Sequence, residues 1–324
     1  MPSNHPDPYG SPMLVLSDAC NLRCIFCSSQ GHGRKQSAQR IRTLIGKGNE
    51  NLLIGEWEEP TLSPKLPYWI SFAKKTGVKN VILRTNGVKL SDKKFAGDVI
   101  KSGVDKIHIN FPSHLGKLAD FLLQRKGAFK KQEQGIKNLI KLSAATKIAL
   151  VFVITAFNYK TMAQYCQFVS ARFPGIKTIS FNMICIAGYV NKRKFLIPRM
   201  AQIEPHLASA VRFCALHGLR SMVDNVPLCL MNGFEHLSVD LQCNSAEKNV
   251  PEKNKQEVCK SCSLSGLCPG IRLDYAELFG CKELKPSKKS PQLILTALKR
   301  NLQETYKEPY RKFPPGSGKE DFCI

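Results

Sequence analysis

The chain has 324 residues, 43% hydrophobic and 23% charged, the composition of an ordinary folded protein with room for one large domain and a smaller one. No stretch approaches the ~20 consecutive apolar residues of a membrane helix, and the polar, Pro-rich start MPSNHPDPYG lacks the apolar core of a secretory signal, so a cytoplasmic protein without membrane contact is expected. The formal net charge of +23 is uneven: residues 65–147 hold 18 Lys and Arg against 5 Asp and Glu, enough to steer an RNA, a nucleotide or an acidic peptide, or simply to coat the solvated faces of helices.

Short β-branched runs alternate with longer amphipathic ones. Strands are expected at 13–16, 52–55, 80–84, 106–110, 147–154 and 178–183, and helices near 37–46, 65–75, 92–102, 114–124, 129–143, 161–172 and 200–216. Six βα units in series imply a parallel sheet, because parallel neighbours need a long crossover. Such a sheet is either doubly wound or curled into a partial barrel. Gly77, Gly103 and Gly175 each stand between a helix and the next strand, where a left-handed residue ends a helix cheaply. After a last regular segment at 219–224 the pattern becomes Cys-rich and turn-rich, which places a domain boundary near residue 225. The expected organisation is a tail at 1–12, an α/β domain at 13–225, a small Cys-rich unit at 226–285, and a C-terminal helix and flexible tail at 286–324.

Thirteen cysteines in a chain without an export signal point to metal binding or chemistry, not structural disulfides. The strongest signal is CNLRCIFC, in which Cys20, Cys24 and Cys27 follow the first strand at x3 and x2 spacing. Structural zinc wants four protein ligands, so three thiolates on one loop suit a [4Fe–4S] cluster with one iron left open. A zinc knuckle or buried thiols are the bland alternative. A second array, Cys259-x2-Cys262-x5-Cys268, needs a fourth ligand from Cys229, Cys243 or Cys281, and structural zinc competes with iron–sulfur there. Cys229 is favoured because it follows a strand-like segment. Cys166, Cys185, Cys214 and Cys323 are single, and the first three sit in apolar patterns that suggest core positions. His108 could face the interior of the sheet, whereas His32, His114 and His236 have no partner at ligand spacing. No Gly-rich phosphate loop, Ser–His–Asp order or paired-carboxylate motif stands out.

With Phe26 before its last cysteine, the first array resembles the cluster loop of the radical SAM superfamily. The resemblance implies a partial (βα)6 TIM-like barrel over residues 13–225. It also implies an open iron that binds the amino and carboxylate groups of S-adenosylmethionine (SAM), and one electron that breaks the sulfur–C5′ bond to give a hydrogen-abstracting 5′-deoxyadenosyl radical. GEWEEPTL, residues 55–62, resembles the family's Gly-Gly-Glu-Pro segment with Glu59 and Pro60 in register and Trp57 and Glu58 where the glycines would be. Glu59 would accept from the methionyl amino group. Thr85-Asn86-Gly87 resembles the turn beside the cofactor, Asn110 a ribose or carboxylate contact, and Arg125 the partner of the methionyl carboxylate.

The second array is similar to that of SPASM and twitch extensions. The further cysteine that the full SPASM pattern places three residues after Cys268 is missing, so one auxiliary [4Fe–4S] cluster on Cys229, Cys259, Cys262 and Cys268 is implied. Relatives with auxiliary clusters often act in peptide maturation, which favours a peptide or protein side chain as substrate. The alternatives are a small molecule, nucleotide or RNA, with residues 65–147 as an RNA contact, and a non-enzymatic, metal-stabilised binding module. A reductant protein of the flavodoxin or ferredoxin type would be a partner.

Overall fold

Runs rich in Ile, Leu and Val form the strands, since branched side chains fit a pleat that is covered on both faces. The computed structural model describes residues 12–29, 34–46, 48–143, 146–243 and 250–306. His32, Cys323 and most of both expected tails lie outside the described residues. The strands are β1 (Met13–Leu14), β2 (Asn51–Ile54), β3 (Asn80–Thr85), β4 (Lys106–Asn110), β5 (Lys147–Ile154), β6 (Thr178–Met183) and β7 (Arg220–Asp224). Between them run α1 (Ala38–Ile45), α2 (Leu66–Lys75), α3 (Lys93–Lys101), α4 (Gly116–Leu123), α5 (Ala128–Leu142), α6 (Met162–Arg172) and α7 (Met200–Leu216). Ser37 and Asp92 cap α1 and α3 by accepting N–H groups of the first turn.

All seven strands pair in parallel in the order β1 to β7, each hydrogen-bonded to its sequence neighbour. Right-handed crossovers that always step in one direction lay every helix on the same face and curl the sheet toward a barrel. A doubly wound sheet would reverse strand order at a switch point, so that alternative is excluded. β7 adds a seventh strand to the six expected. Among the described residues β1 and β7 do not pair, and the barrel stays open.

Alternation along the strands sorts side chains between the two faces. Ile107 and Ile109 are fully buried under the helices, whereas Lys106, His108 and Asn110 between them face the concave side and are only partly covered. Arg84 is in register with His108, and Thr178 with Arg220, so these share the concave face. The core lies between sheet and helices. Phe111, Phe152, Tyr165, Phe173 and Phe181 pack there, with the Phe152 and Tyr165 rings 4.7 Å apart and edge to face.

β1 is shorter than expected. The Val15 N–H donates to Gln36 Oε1 at 3.2 Å and the Leu16 N–H to Glu58 Oε1 at 2.9 Å, so side chains take over from the strand ladder. Gly77 and Gly103 have φ of +95° and +92°, as a helix end requires. Gly175 does not have positive φ. A Cβ there would lie 2.7 Å from Ile140, so its place is set by close packing.

Beyond β7 the chain forms α8 (Val239–Gln242), a two-stranded antiparallel pair β8 (Lys253–Asn254) and β9 (Ile271–Arg272), α9 (Leu273–Phe279) and α10 (Pro291–Tyr306). Asp274 accepts the Ile186 N–H at 3.0 Å and the Tyr275 hydroxyl accepts the Met200 N–H at 2.9 Å, which ties this region to the β6–α7 connection. Among the described residues no helix is long and apolar enough to cross a membrane.

Candidate cofactor sites

The CNLRCIFC loop leaves the carboxyl end of β1 with its apolar side chains turned inward. Leu22, Ile25 and Phe26 are buried, Cys20 is exposed, and Cys24 and Cys27 are half-buried. Backbone bonds from three directions hold it. The Arg23 and Ile25 N–H groups donate to Leu123 and Leu122, so the loop satisfies carbonyls that the end of α4 leaves open. The Tyr189 N–H donates to the Cys27 carbonyl at 3.0 Å and the Arg193 guanidinium to the Ile25 carbonyl at 3.2 Å, from the β6–α7 connection. Arg125 Nη1 donates to the Asn21 carbonyl at 2.6 Å, and Asn86 Nδ2 to Asn21 Oδ1 at 2.7 Å. Gly188 has no Cβ to spare: one would lie 2.4 Å from the Ser28 carbonyl oxygen.

The three thiols feel one another. Burial pushes Cys24 well above the ordinary thiol range, and the proximity of Cys20 and Cys27 adds to it. Burial also raises Cys20, against the Leu22 N–H, with Glu59 and Cys27 pushing the same way. Three crowded thiols favour any cation that replaces their protons.

Glu59 is buried at the carboxyl end of β2 with both oxygens engaged. One accepts from the Thr61 N–H and from the Thr61 and Thr85 hydroxyls, and the other from the Asn86 N–H at 2.7 Å. Burial raises its pKa and these donors oppose the rise. The carboxylate thus stitches the β2 loop to the turn after β3. Pro60 beside it packs on Gly55, where a Cβ would stand 2.6 Å from its ring. Glu58 differs: beyond its Oε1 bond to Leu16, its Oε2 is buried without a hydrogen-bond partner among the described residues, and burial pushes the carboxyl up to about 7.

The Thr85-Asn86-Gly87 turn is pinned by its own side chains, with the Gly87 N–H on Thr85 Oγ1 and the Val88 N–H on Asn86 Oδ1, both at 3.0 Å. Asn86 Nδ2 also lies 3.8 Å from Cys20 Sγ. From α5, the fully buried Gln132 donates to the carbonyls of Asn86 and Asn110 at 2.7 and 2.8 Å. Gly135, one turn on, lets the helix approach so closely that a Cβ would lie 2.6 Å from the Gly87 oxygen. Neither residue was singled out in the sequence. The available signal was a polar side chain on the apolar stripe of α5, in phase with Ala128, Ile136 and Leu139.

The expected positions therefore gather at the carboxyl ends of β1 to β4. Cys20, Cys24, Cys27, Glu59, Pro60, Thr85 and Asn86 form one neighbourhood, and Asn110 joins through Gln132, with its Oδ1 buried and unpartnered among the described residues. Phe26 anchors the loop in the core, and Arg125 grips the loop backbone from an exposed position. Below them His108 is held neutral, pushed down to about 3 by burial and then by the charges of Arg84 and Lys106. Lys93, Lys94, Lys130 and Lys131 do lie on solvated helix faces.

Cys229, Cys259, Cys262 and Cys268 line one cavity in the C-terminal region. Burial pushes Cys229 up to about 11 against the Lys285 N–H, and the other three thiols push in the same direction. Cys229 sits in the turn Leu228–Leu230, a few residues after β7. Cys281 does not line this cavity, and Cys243 is buried in a separate apolar group with Met222 and Val239. Among the described residues no three His, Cys, Asp or Glu side chains converge tightly enough to hold a single metal ion; the second sulfur set surrounds a cavity. Cys166 and Cys214 are core residues, fully buried with sulfurs 3.4 Å apart. Cys185 is not: it is half-buried at the end of β6, among the charges of Arg272, Asp224, Asp274 and Lys253. A strand ending at a polar barrel mouth outweighs its apolar neighbours in sequence.

Residues 14–169, the stretch that builds the first sulfur set and its surroundings, match the sequence model of the Radical SAM superfamily. This chain carries a radical SAM domain. Similar curated proteins include two named "Probable GTP 3',8-cyclase". One, from Methanococcus maripaludis, is 26% identical over 49% of this chain and 55% of its own length. The other, from Sulfolobus acidocaldarius, is 29% identical over 51% and 55%. The chain thus spans about half the length of the curated relatives it matches. Among solved structures, anSMEcpe with bound AdoMet has a TM-score of 0.58 at 13% identity, covering 90% of this chain and 96% of that one. Methylornithine synthase has a TM-score of 0.51 at 10% identity, covering 93% and 82%. At such identities the likeness is one of fold alone. A [4Fe–4S] cluster and SAM are what the family implies.

Proposed function

We propose that this protein is a radical SAM enzyme acting on a small anionic molecule, in the first instance a nucleotide, with a [4Fe–4S] cluster on Cys20, Cys24 and Cys27. The observation that carries the cluster is the donor set: three exposed or half-buried thiols on one short loop that backbone bonds of Arg23, Ile25 and Tyr189 hold in place. Glu58 Oε2 and Asn110 Oδ1 are buried acceptors without donors among the described residues, which suits a ligand that brings an ammonium and hydroxyl groups. When bound, the cluster supplies the electron that splits SAM and yields a 5′-deoxyadenosyl radical. The chain's own residues do the holding: Leu22, Ile25 and Phe26 fix the loop, and Glu59 and Gln132 fix the two turns that face it.

Three observations favour a nucleotide over the peptide expected from the sequence. The similar curated proteins carry a nucleotide in their names. On the concave face Arg84, ion-paired to Glu56, and Lys106 flank His108, cationic surroundings that suit an anionic substrate. His108, partly covered and neutral, stands between them as a group that can accept or donate one hydrogen bond. The second sulfur set is read as an auxiliary [4Fe–4S] cluster on Cys229, Cys259, Cys262 and Cys268, which would define residues 226–285 as a twitch-like unit. The test is anaerobic reconstitution with iron and sulfide counts. Replacing Cys20, Cys24 and Cys27 together by Ala should reduce two clusters to one and abolish formation of 5′-deoxyadenosine from SAM, while GTP, added alone, still binds. Zinc in place of iron, or cleavage that survives the triple substitution, would reject the reading.

A further inference from the structure

Five of the large apolar side chains on the surface sit on segments that follow β4, β5 and β6, at the same end of the barrel as the first sulfur set: Leu115, Phe121, Phe157, Tyr189 and Phe195. Three of them form a ridge. The rings of Phe121 and Phe157 are 5.3 Å apart and those of Phe157 and Phe195 6.3 Å, yet the three side chains remain 46%, 44% and 66% exposed. A bond from the Ala156 N–H to the Leu196 carbonyl, 2.7 Å, fixes the second and third rings together. The ridge is continuous with the cysteine loop. Phe121 is adjacent to Leu122, which receives the Ile25 N–H at 2.9 Å, and Arg193, two residues before Phe195, donates to the Ile25 carbonyl.

Charge surrounds this apolar centre. Arg23, Lys117, Lys126, Lys160, Lys192 and Lys194 are all exposed on the same segments. The one acidic residue of α4, Asp120, is turned onto the Gly127 and Phe129 N–H groups. A contiguous exposed aromatic patch with a cationic rim marks a protein contact, and the rim selects an acidic partner.

We propose that the Phe121–Phe157–Phe195 ridge and the lysines around it are the docking surface for a small acidic one-electron carrier protein, which reduces the cluster on the adjoining loop. The proposal rests on the iron–sulfur reading of Cys20, Cys24 and Cys27. Such encounters use small, charge-steered interfaces, and the lysines give this ridge the sign that an acidic partner requires. One electron passes from carrier to cluster, with no bond made or broken. The alternative of single-stranded nucleic acid is disfavoured by ring geometry. Interplanar angles of 69° and 90° set ring edges against ring faces, so the three rings share no common plane on which successive bases could stack.

The experiment uses anaerobic holoprotein and a [2Fe–2S] ferredoxin of net negative charge, with iron and sulfide counted in every variant. In K192E/K194E the ferredoxin should bind roughly tenfold more weakly at low salt, with the difference shrinking at high salt. F157S/F195S should bind more weakly at both. Bleaching of the cluster by reduced ferredoxin should slow in step with binding, while bleaching by dithionite stays at the wild-type rate. Wild-type ferredoxin binding in both variants overturns the docking surface. So does the loss of a labelled single-stranded RNA by the same variants with ferredoxin binding unchanged. Absence of a cluster on the three cysteines overturns the underlying reading, and the docking proposal with it.

Discussion

Glu58 and Glu59 are neighbours in sequence with opposite surroundings. Glu59 receives four hydrogen bonds and holds two loops together, so Glu59→Gln replaces a multiple acceptor by a group with a single acceptor oxygen and two unwanted donors. A loss of about 2–3 kcal/mol is expected from denaturant unfolding, within the range for bonds to a charged group. Glu58 should behave in reverse. Its carboxyl holds a proton up to about 7 when folded against the ordinary 4.5, because burial disfavours the charge. Between those values the folded state binds more protons than the unfolded one, so stability present at low pH declines as pH rises through the window. Glu58→Gln keeps an acceptor for the Leu16 N–H and cannot ionise. Melting temperatures across this window, without added SAM, should fall for the wild type and flatten for the variant, which becomes the more stable protein above pH 7. A wild-type curve that does not fall would show that the carboxyl finds a donor. The motif spacing made Glu59 legible in the sequence. The spent state of Glu59 and the orphaned oxygen of Glu58 were not, because both depend on residues from β1 and β3.

At the level of elements, most of the architecture could be read from periodicity, and the exceptions have local causes. α5, expected at 129–143, runs over Ala128–Leu142, because Ala128, Ile136 and Leu139 keep helical phase across the polar Gln132. β1 was read as longer than it is, since Val15 and Leu16 have strand-like side chains but give their N–H groups to Gln36 and Glu58. What periodicity could not reveal is what a helix touches. Gln132 and Gly135 make α5 a brace for two turns 46 and 22 residues away, and no local pattern carries that distance. Gly135→Ala should drive the helix off the Gly87 carbonyl at a cost of about 1–3 kcal/mol, the usual range for overpacking. Gln132→Leu keeps the volume and removes both bonds. Both variants should bind SAM more weakly in titration calorimetry of the reconstituted protein, because Asn86 and Asn110 lose their fixed positions. Unchanged affinity in both would mean that the turns hold themselves.

For the molecule as a whole, the two cysteine sets rest on unequal foundations. The first loop lies on a barrel with a continuous core of strand and helix residues, and its thiols contribute little to holding that core together. Two members of the second set, Cys259 and Cys262, lie in a segment without comparable packing, while Leu264, Ile271 and Tyr275 beyond it join the same core. None of residues 251–263 is fully buried, the turn Glu257–Ser261 that carries Cys259 has no buried residue, and regular strand there is limited to the short β8–β9 pair. Such a segment gains order from a metal centre more than from apolar burial, as small metal-stapled units do. Its folding should then be linked to its metal while that of the barrel is not. Limited proteolysis of metal-depleted protein should cut first within 251–263, and reconstitution with iron and sulfide should protect those bonds by tenfold or more, on the order of the linkage expected for a ligand that binds only the ordered state. Cys229→Ser should leave the segment open to cleavage even after reconstitution, because Cys229 is the one member of the set that approaches from the barrel side. Equal protection of the segment in depleted and reconstituted protein would mean that the contacts of Asp274 with Ile186 and of Tyr275 with Met200 suffice to order it.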